Sequence, residues 1–373
     1  MERIYLDHAA TTPLDPRVRE AMLPWLSEFG NPSSLSLEGR RARAAIDEAR
    51  EISASRLGCL FGEVHFLASG TESCNLALLG CARAALQKGI GRPRILASAV
   101  EHHAVLHTAP ILAELGFTLE TVAVDRLGRV DLDALSDALR DDVLLVSVMT
   151  ANNELGTRQP IEEISRLTRE VGAYFHTDAI QTLGCDSATA DQLGCDLLSA
   201  TAHKFYGPKG AALLYVRSGT PMSPIVVGGG QEREQRAGTE NVMAIVGLGE
   251  AIKVSGPDAH VSEARDAFYE NLDCDWVRSV LAEIPCLAGH AHVRFPSVSA
   301  ETLLIKLDRM GISASSGAAC SSGSIEPSHV LLACGLPESE ARECVRFTFG
   351  KGQDAEIGAR AAKIVSAALA ELN

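Results

Sequence analysis

Apolar positions in the middle of the chain come in short continuous blocks, each closed by a polar cluster. Arg94-Ile95-Leu96-Ala97 is one such block, followed by a helical pattern through Leu106 and Leu115. Residues 142–148 read Asp-Val-Leu-Leu-Val-Ser-Val, the continuous pattern of a strand covered on both faces. A helix pattern runs from Ile161 to Val171, and Tyr174-Phe175-His176 opens the next strand. Leu197 to Ala200 and Ala211 to Val216 supply two more, separated by the turn Gly207-Pro208-Lys209-Gly210. Strands alternating with helices predict an α/β fold on a mostly parallel sheet. Functional groups in such a sheet gather at the strand ends.

Ser255-Gly256-Pro257-Asp258 interrupts this rhythm. Beyond it lie helix patterns and one apolar stretch around Leu303 to Leu307. The first dozen residues hold an extended segment and a Thr12-Pro13 turn, and are expected to pack with the C-terminal part. The division expected is a large domain over 15–254 and a smaller α+β domain from 1–14 and 255–373.

Each middle strand ends in residues that carry chemistry. Ser69-Gly70-Thr71-Glu72-Ser73 precedes a helical run, where free N–H groups and the helix dipole suit a phosphate. Taken alone, this segment reads first as a plain Ser/Thr helix cap. Glu101-His102-His103, Asn152-Asn153-Glu154, Asp178-Ala179-Ile180-Gln181 and Thr201-Ala202-His203-Lys204 follow the next strands. Four clusters in succession along one sheet point to a shared site. Their residue types fit pyridoxal phosphate, which needs a lysine for its Schiff base and an acid against its ring nitrogen. Lys204 can supply the first and Asp178 the second. His102 can lie over the ring and move protons, and Gln181 can bond the ring hydroxyl. Thr71, Thr201 and His203 can hold the phosphate beside Gly70. Lys209, inside the turn, is the competing lysine.

Composition narrows the field. The chain has 373 residues, 46% hydrophobic and 22% charged, with net charge −14 and scattered basic residues. A broad nucleic-acid or anionic-membrane surface needs a basic stripe that is missing here. Met1 to His8 lacks an apolar signal core, and no apolar run is long enough to span a bilayer. The expected location is the cytoplasm, with no membrane and no direct nucleic-acid binding. Among ten cysteines there is no Cys-x-x-Cys, and Cys59, Cys74, Cys81, Cys185, Cys195 and Cys334 sit among apolar or small residues as packing thiols. Cys320 differs. It lies in Ser315-Ser316-Gly317-Ala318-Ala319-Cys320-Ser321-Ser322-Gly323-Ser324, a run with no large apolar side chain to anchor it.

Taken in order, these motifs, with Asp7-His8-Ala9-Ala10-Thr11-Thr12, Gly30-Asn31-Pro32-Ser33-Ser34, Gly228-Gly229-Gly230-Gln231-Glu232 and Arg236-Gly238-Thr239-Glu240-Asn241, resemble the cysteine desulfurases of the NifS/IscS type. The resemblance covers nearly the whole chain. It implies a homodimer of pyridoxal-phosphate fold type I, in which Thr239 reaches the phosphate of the partner's cofactor. It implies that Asn153 and Arg346 face the substrate carboxylate, to which a guanidinium fork is suited, and that Asn153 also contacts the cofactor. It implies that L-cysteine is converted to alanine, with Lys204 or His102 taking the α-proton and a persulfide forming on Cys320 for an acceptor protein. No resident metal is expected, although Cys320 can share an iron–sulfur cluster transiently. The acceptor stays open among iron–sulfur assembly, tRNA thiolation and DNA modification. Transamination, selenocysteine lysis and a non-catalytic scaffold are the competing readings. Three places depart from the family pattern: Ser36 stands where a histidine is usual, 269–295 is shortened with His292 at an otherwise Asn-rich strand start, and Phe349-Gly350-Lys351 replaces Leu-Gly-Arg.

Overall fold

The computed structural model describes residues 3–272, 285–316 and 327–372. Among the described residues eleven strands run in chain order: β1 Ile4–Tyr5, β2 Val64–Leu67, β3 Arg94–Ser98, β4 Thr118–Val122, β5 Val143–Ser147, β6 Tyr174–Asp178, β7 Leu197–Thr201, β8 Ala212–Val216, β9 His290–Arg294, β10 Ile312–Ser313 and β11 Cys344–Thr348. Seven of them form the main sheet in the order β2-β8-β7-β6-β5-β3-β4. The pairs from β7 to β4 are parallel, while β8 runs antiparallel to both β2 and β7. The mostly parallel α/β sheet expected from the sequence is therefore present, with one reversed strand. The Gly-Pro-Lys-Gly turn between β7 and β8 is what reverses it.

β5 is buried along its whole length, because helices cover both faces of the sheet. The 21-residue helix Leu37–Leu57 is one of these covers. Ser36 caps it by accepting a hydrogen bond from the Gly39 N–H (3.2 Å), and Gly58 ends it in the left-handed region. The family-atypical Ser36 thus does a capping residue's work. Helix Val242–Val254 crosses it so closely that a Cβ on Gly249 would lie 3.0 Å from the Ala49 Cα. A large side chain at that crossing would force the two helices apart.

A second buried cluster stands apart from the main sheet. It joins Ile4 and Leu6 to Phe268, Val293, Leu303, Ile312, Val345, Phe347 and Val365. β1 pairs with β10, β11 with β9, and isolated bridges tie Asp7 to Thr348 and Ser315 to Arg346. The two ends of the chain therefore share one core. Residues Leu303 to Leu307 lie in the helix Ala300–Arg309, whose buried face supplies Leu303 and Leu307.

Candidate functional site

Lys204 closes the short 3-10 turn Ala202–Lys204 directly after β7. The N-terminal segment lies across this turn. Thr12 donates from its N–H to the His203 carbonyl (2.8 Å), and its hydroxyl oxygen accepts from the Tyr206 N–H (2.7 Å). Lys204 Nζ, half-buried, donates to the carbonyls of Ala9 (2.5 Å) and Ala10 (2.9 Å). Gln181 Nε2 shares the Ala9 carbonyl at 3.1 Å. Lys209 is exposed in its turn, so the two candidate lysines separate cleanly by environment.

Asp178 ends β6 and is 5% exposed. Its Oδ1 accepts from the Ile180 N–H (2.8 Å), and Oδ2 lies 3.6 Å from Cys74 Sγ. Burial pushes its carboxyl up to about 6, against the pull of the Ile180 N–H and the Lys204 charge. His102 caps the turn His103–Leu106, with Nδ1 accepting from the Ala104 N–H (3.0 Å). Burial, and then the Lys204 charge, lower it to about 4. The imidazole is therefore neutral at pH 7, and with Nδ1 engaged as an acceptor its proton sits on Nε2.

Gly70 begins the helix Gly70–Asn75, capped by Ser69, whose hydroxyl accepts from the Glu72 N–H (3.1 Å). A Cβ on Gly70 would meet Ile180 Cδ1 at 2.4 Å, so a larger residue there would displace the end of the Ile180 side chain beside Asp178. Thr71 is exposed beside it. Thr201 is buried, its hydroxyl donating to the Ala211 carbonyl at 3.1 Å, and His203 Nδ1 lies 3.1 Å from Thr11 Oγ1. A π-helical turn, Leu76–Gly80, follows the helix, a widening of the kind found near functional sites.

Arg346 projects from β11 and is 3% exposed. Nη1 donates to the Asn153 carbonyl (2.7 Å) and Nη2 to Asp7 Oδ1 (2.8 Å). Its backbone pairs with Ser315 in both directions, at 2.6 and 3.1 Å. Asp7 was not legible as its partner, because 339 residues separate the two in sequence. Two neutral histidines flank the arginine: His292 opposes it across the β9–β11 ladder, and burial, then the Arg346 charge, lower His290 to about 3 and His292 to about 4.

Thr239 is exposed, at the end of a loop with an unusual backbone. Glu232, Arg233 and Glu234 all have φ between 46° and 65°. Left-handed backbone costs a non-glycine residue on the order of 1–2 kcal/mol. Cys320 lies outside the described residues, as does Gly317.

Eight cysteines fall within the described residues, and all are free thiols. Burial pushes every one of them up: Cys59, Cys81, Cys195, Cys334 and Cys344 to about 12, Cys185 to about 11, and Cys74 and Cys286 in the same direction.

Glu101 had no assigned role in the sequence, yet it is fully buried beside the site. Its Oε1 accepts from Ser98 Oγ (2.6 Å) and the Met149 N–H (2.8 Å). Burial pushes its carboxyl up to about 8. The folded value lies above the unfolded one, so its contribution to stability is full below about 4.5 and is lost as the pH rises through 8. Each pH unit in that window costs up to about 1.4 kcal/mol. Glu101→Gln should therefore flatten the fall in unfolding free energy between pH 6 and 8.5 by about 2 kcal/mol in denaturant titrations. Equal slopes in both proteins would remove this assignment.

A lysine after one parallel strand, a buried carboxylate at the end of its neighbour and a glycine-led helix beside them define a pyridoxal-phosphate enzyme of fold type I. The family model for "Aminotransferase class-V" matches residues 4–356, and the chain belongs to that family, whose members depend on pyridoxal phosphate. Within it the chain is a cysteine desulfurase. It is 47% identical over 356 residues to "Cysteine desulfurase IscS" of Dictyoglomus turgidum, covering 93% of this chain and 89% of that protein. A solved "NIFS-LIKE PROTEIN" superposes with a TM-score of 0.88 at 33% identity, covering 99% of this chain and all of that one. "SspA in complex with cysteine" superposes with a TM-score of 0.83 at 35% identity, covering 94% and 99%.

Proposed function

We propose that the chain takes sulfur from L-cysteine, with the cofactor held on Lys204 and the sulfur received by Cys320. The observation that carries the reading is the Lys204–Asp178–His102 group: an amine, a buried carboxylate and a neutral imidazole at or just beyond the ends of the parallel strands β7, β6 and β3. The carboxylate also tests the fit. A buried Asp178 raised to about 6, with one oxygen against a weak thiol donor, is an acceptor that a protonated ring nitrogen would satisfy and return to its charged form. When bound, pyridoxal phosphate supplies an electron-withdrawing ring that stabilises negative charge at the substrate α-carbon.

The chain's own residues do the rest. Gly70, Thr71, Thr201 and His203 hold the phosphate, and Gln181 the ring hydroxyl. Arg346, with Asn153, orients the substrate carboxylate. Lys204 or His102 moves the α-proton. The Cys320 thiolate attacks the substrate sulfur, so that an S–S bond forms and the C–S bond breaks. The electron pair stays with the carbon skeleton, which takes up a proton and leaves as alanine. The persulfide then passes to an acceptor protein. The acceptor stays open among iron–sulfur assembly, tRNA thiolation and DNA modification.

The reading includes a homodimer, with Thr239 serving the partner's cofactor. It is supported by apolar side chains left in solvent around the Gly30–Ser34 motif, where Phe29 is 85% and Leu35 90% exposed. It includes a two-domain division near residues 14 and 255, supported by the separate core that both chain ends share. It places the chain in the cytoplasm, in keeping with the eight free thiols among the described residues. No helix among the described residues is long and apolar enough to cross a membrane.

Arg346→Lys should raise KM for cysteine about 10- to 100-fold, since the two-pronged grip and its Asp7 anchor are lost together, with a smaller change in kcat. Steady-state alanine formation measures this. An unchanged KM would remove the carboxylate role. Formation of alanine and protein-bound persulfide from L-cysteine tests the whole reading.

A further inference from the structure

We infer that the buried Arg50–Glu232 ion pair is a positioning device, holding the loop 231–239 in its left-handed form so that Thr239 is presented to the partner's cofactor phosphate. This rests on the reading that Thr239 acts across the dimer.

Both side chains are almost wholly buried. Arg50 Nη1 and Nη2 each donate to one Glu232 carboxylate oxygen at 2.7 Å, and Nη1 also donates to the Val64 carbonyl at 2.6 Å. Glu232 Oε2 accepts in addition from the Phe66 N–H at 2.9 Å. The guanidinium stacks over the Phe66 ring, 4.7 Å from its centroid. A buried pair of this kind is a poor source of net stability, because two charges must be desolvated. Burial alone would push the Glu232 carboxyl up, yet the Arg50 bonds and charge more than offset it.

What the pair obtains is a backbone shape. The three left-handed residues begin at Glu232 itself, and the loop is fastened to β2 by further bonds from Arg233 and near His65. At its far end Arg236 Nε donates to Glu72 Oε1 at 2.8 Å, and the Gly238 N–H donates to Gln231 Oε1 at 3.1 Å. Thr239 follows directly. Strain sustained in a polar, exposed loop persists only when its surroundings over-determine it. Here the Arg50 fork does so. β2 leads into Ser69 and Gly70, so one strand supports the chain's own phosphate helix and the loop sent to the partner.

The test measures pyridoxal-phosphate affinity of the apo-dimer by absorbance titration. Arg50→Lys keeps the charge but removes the fork, and should fold, dimerise and bind the cofactor about threefold or more weakly. The double exchange Arg50→Met with Glu232→Leu removes both buried charges and should weaken binding about tenfold. Adding Thr239→Ala to it should cost less than twofold more. Mixed dimers assign the direction. Arg50→Lys in a chain with intact Lys204, paired with a Lys204→Ala chain, should bind as wild type, because the intact loop serves the remaining lysine. Arg50→Lys and Lys204→Ala in the same chain, paired with wild type, should bind weakly. Wild-type affinity in both Arg50 variants, while Thr239→Ala is weak, overturns the inference alone. Full affinity in Thr239→Ala, or the opposite pattern in the mixed dimers, overturns the reading across the dimer and the inference with it.

Discussion

Lys204→Ala is expected to lower alanine formation by about 10³-fold or more and to release the cofactor from covalent attachment. The amine now sits on the carbonyls of Ala9 and Ala10, close enough to Asp178 and His102 for its charge to act on both. Its loss should therefore raise His102 from about 4 toward the ordinary imidazole range, as one of the charges that depresses it disappears. Borohydride treatment and peptide mass analysis give the direct check. The wild-type protein should carry the reduced cofactor on the peptide containing Lys204, and the variant on none. Cofactor recovered on Lys209 would reverse the assignment.

Cys320→Ala is expected to leave cofactor absorbance intact and to reduce alanine release from cysteine to background. The thiol is the sole proposed acceptor of the substrate sulfur, so without it the C–S bond has no nucleophile to break it. The anchors of its segment are instructive. Ser315 is paired to the Arg346 backbone on one side, and on the other Ser328 Oγ donates to the buried Glu154 (2.5 Å), next to Asn153. The polypeptide carrying Cys320 thus departs from and returns to residues at the proposed carboxylate site. Alanine release measured against L-cysteine, with the absorbance recorded in parallel, separates loss of chemistry from loss of cofactor. Undiminished turnover would refute the persulfide route.

The sequence made one half of the site readable and concealed the other. Asp178, Lys204 and His102 each follow an apolar strand directly, so local periodicity brought them to one edge. Arg346 came only with the resemblance, and its Asp7 anchor from the opposite end of the chain came only with the fold. Glu101 belonged to one of the strand-end clusters but had no role of its own. Its raised carboxyl arises from complete burial, which sequence pattern does not report. Ser36 was read as a departure, and its capping bond supplies a reason for a small hydroxyl there. The alternation of strands gave the parallel sheet, and the reversed β8 followed from the turn preceding it. The left-handed run at Glu232 to Glu234 had no forewarning, since none of these residues favours that conformation.

The buried cysteines have a consequence for chemical selectivity. An enzyme that produces sulfane sulfur on one thiol endangers every other thiolate it carries, because thiolates exchange with persulfides and disulfides. With pKa values of about 11 to 12, Cys59, Cys81, Cys185, Cys195, Cys334 and Cys344 are ionised in roughly one molecule in 10⁴ to 10⁵ at neutral pH. They neither intercept the transferred sulfur nor compete for electrophiles. A limiting dose of a thiol-alkylating reagent should therefore mark Cys320 in preference to these six.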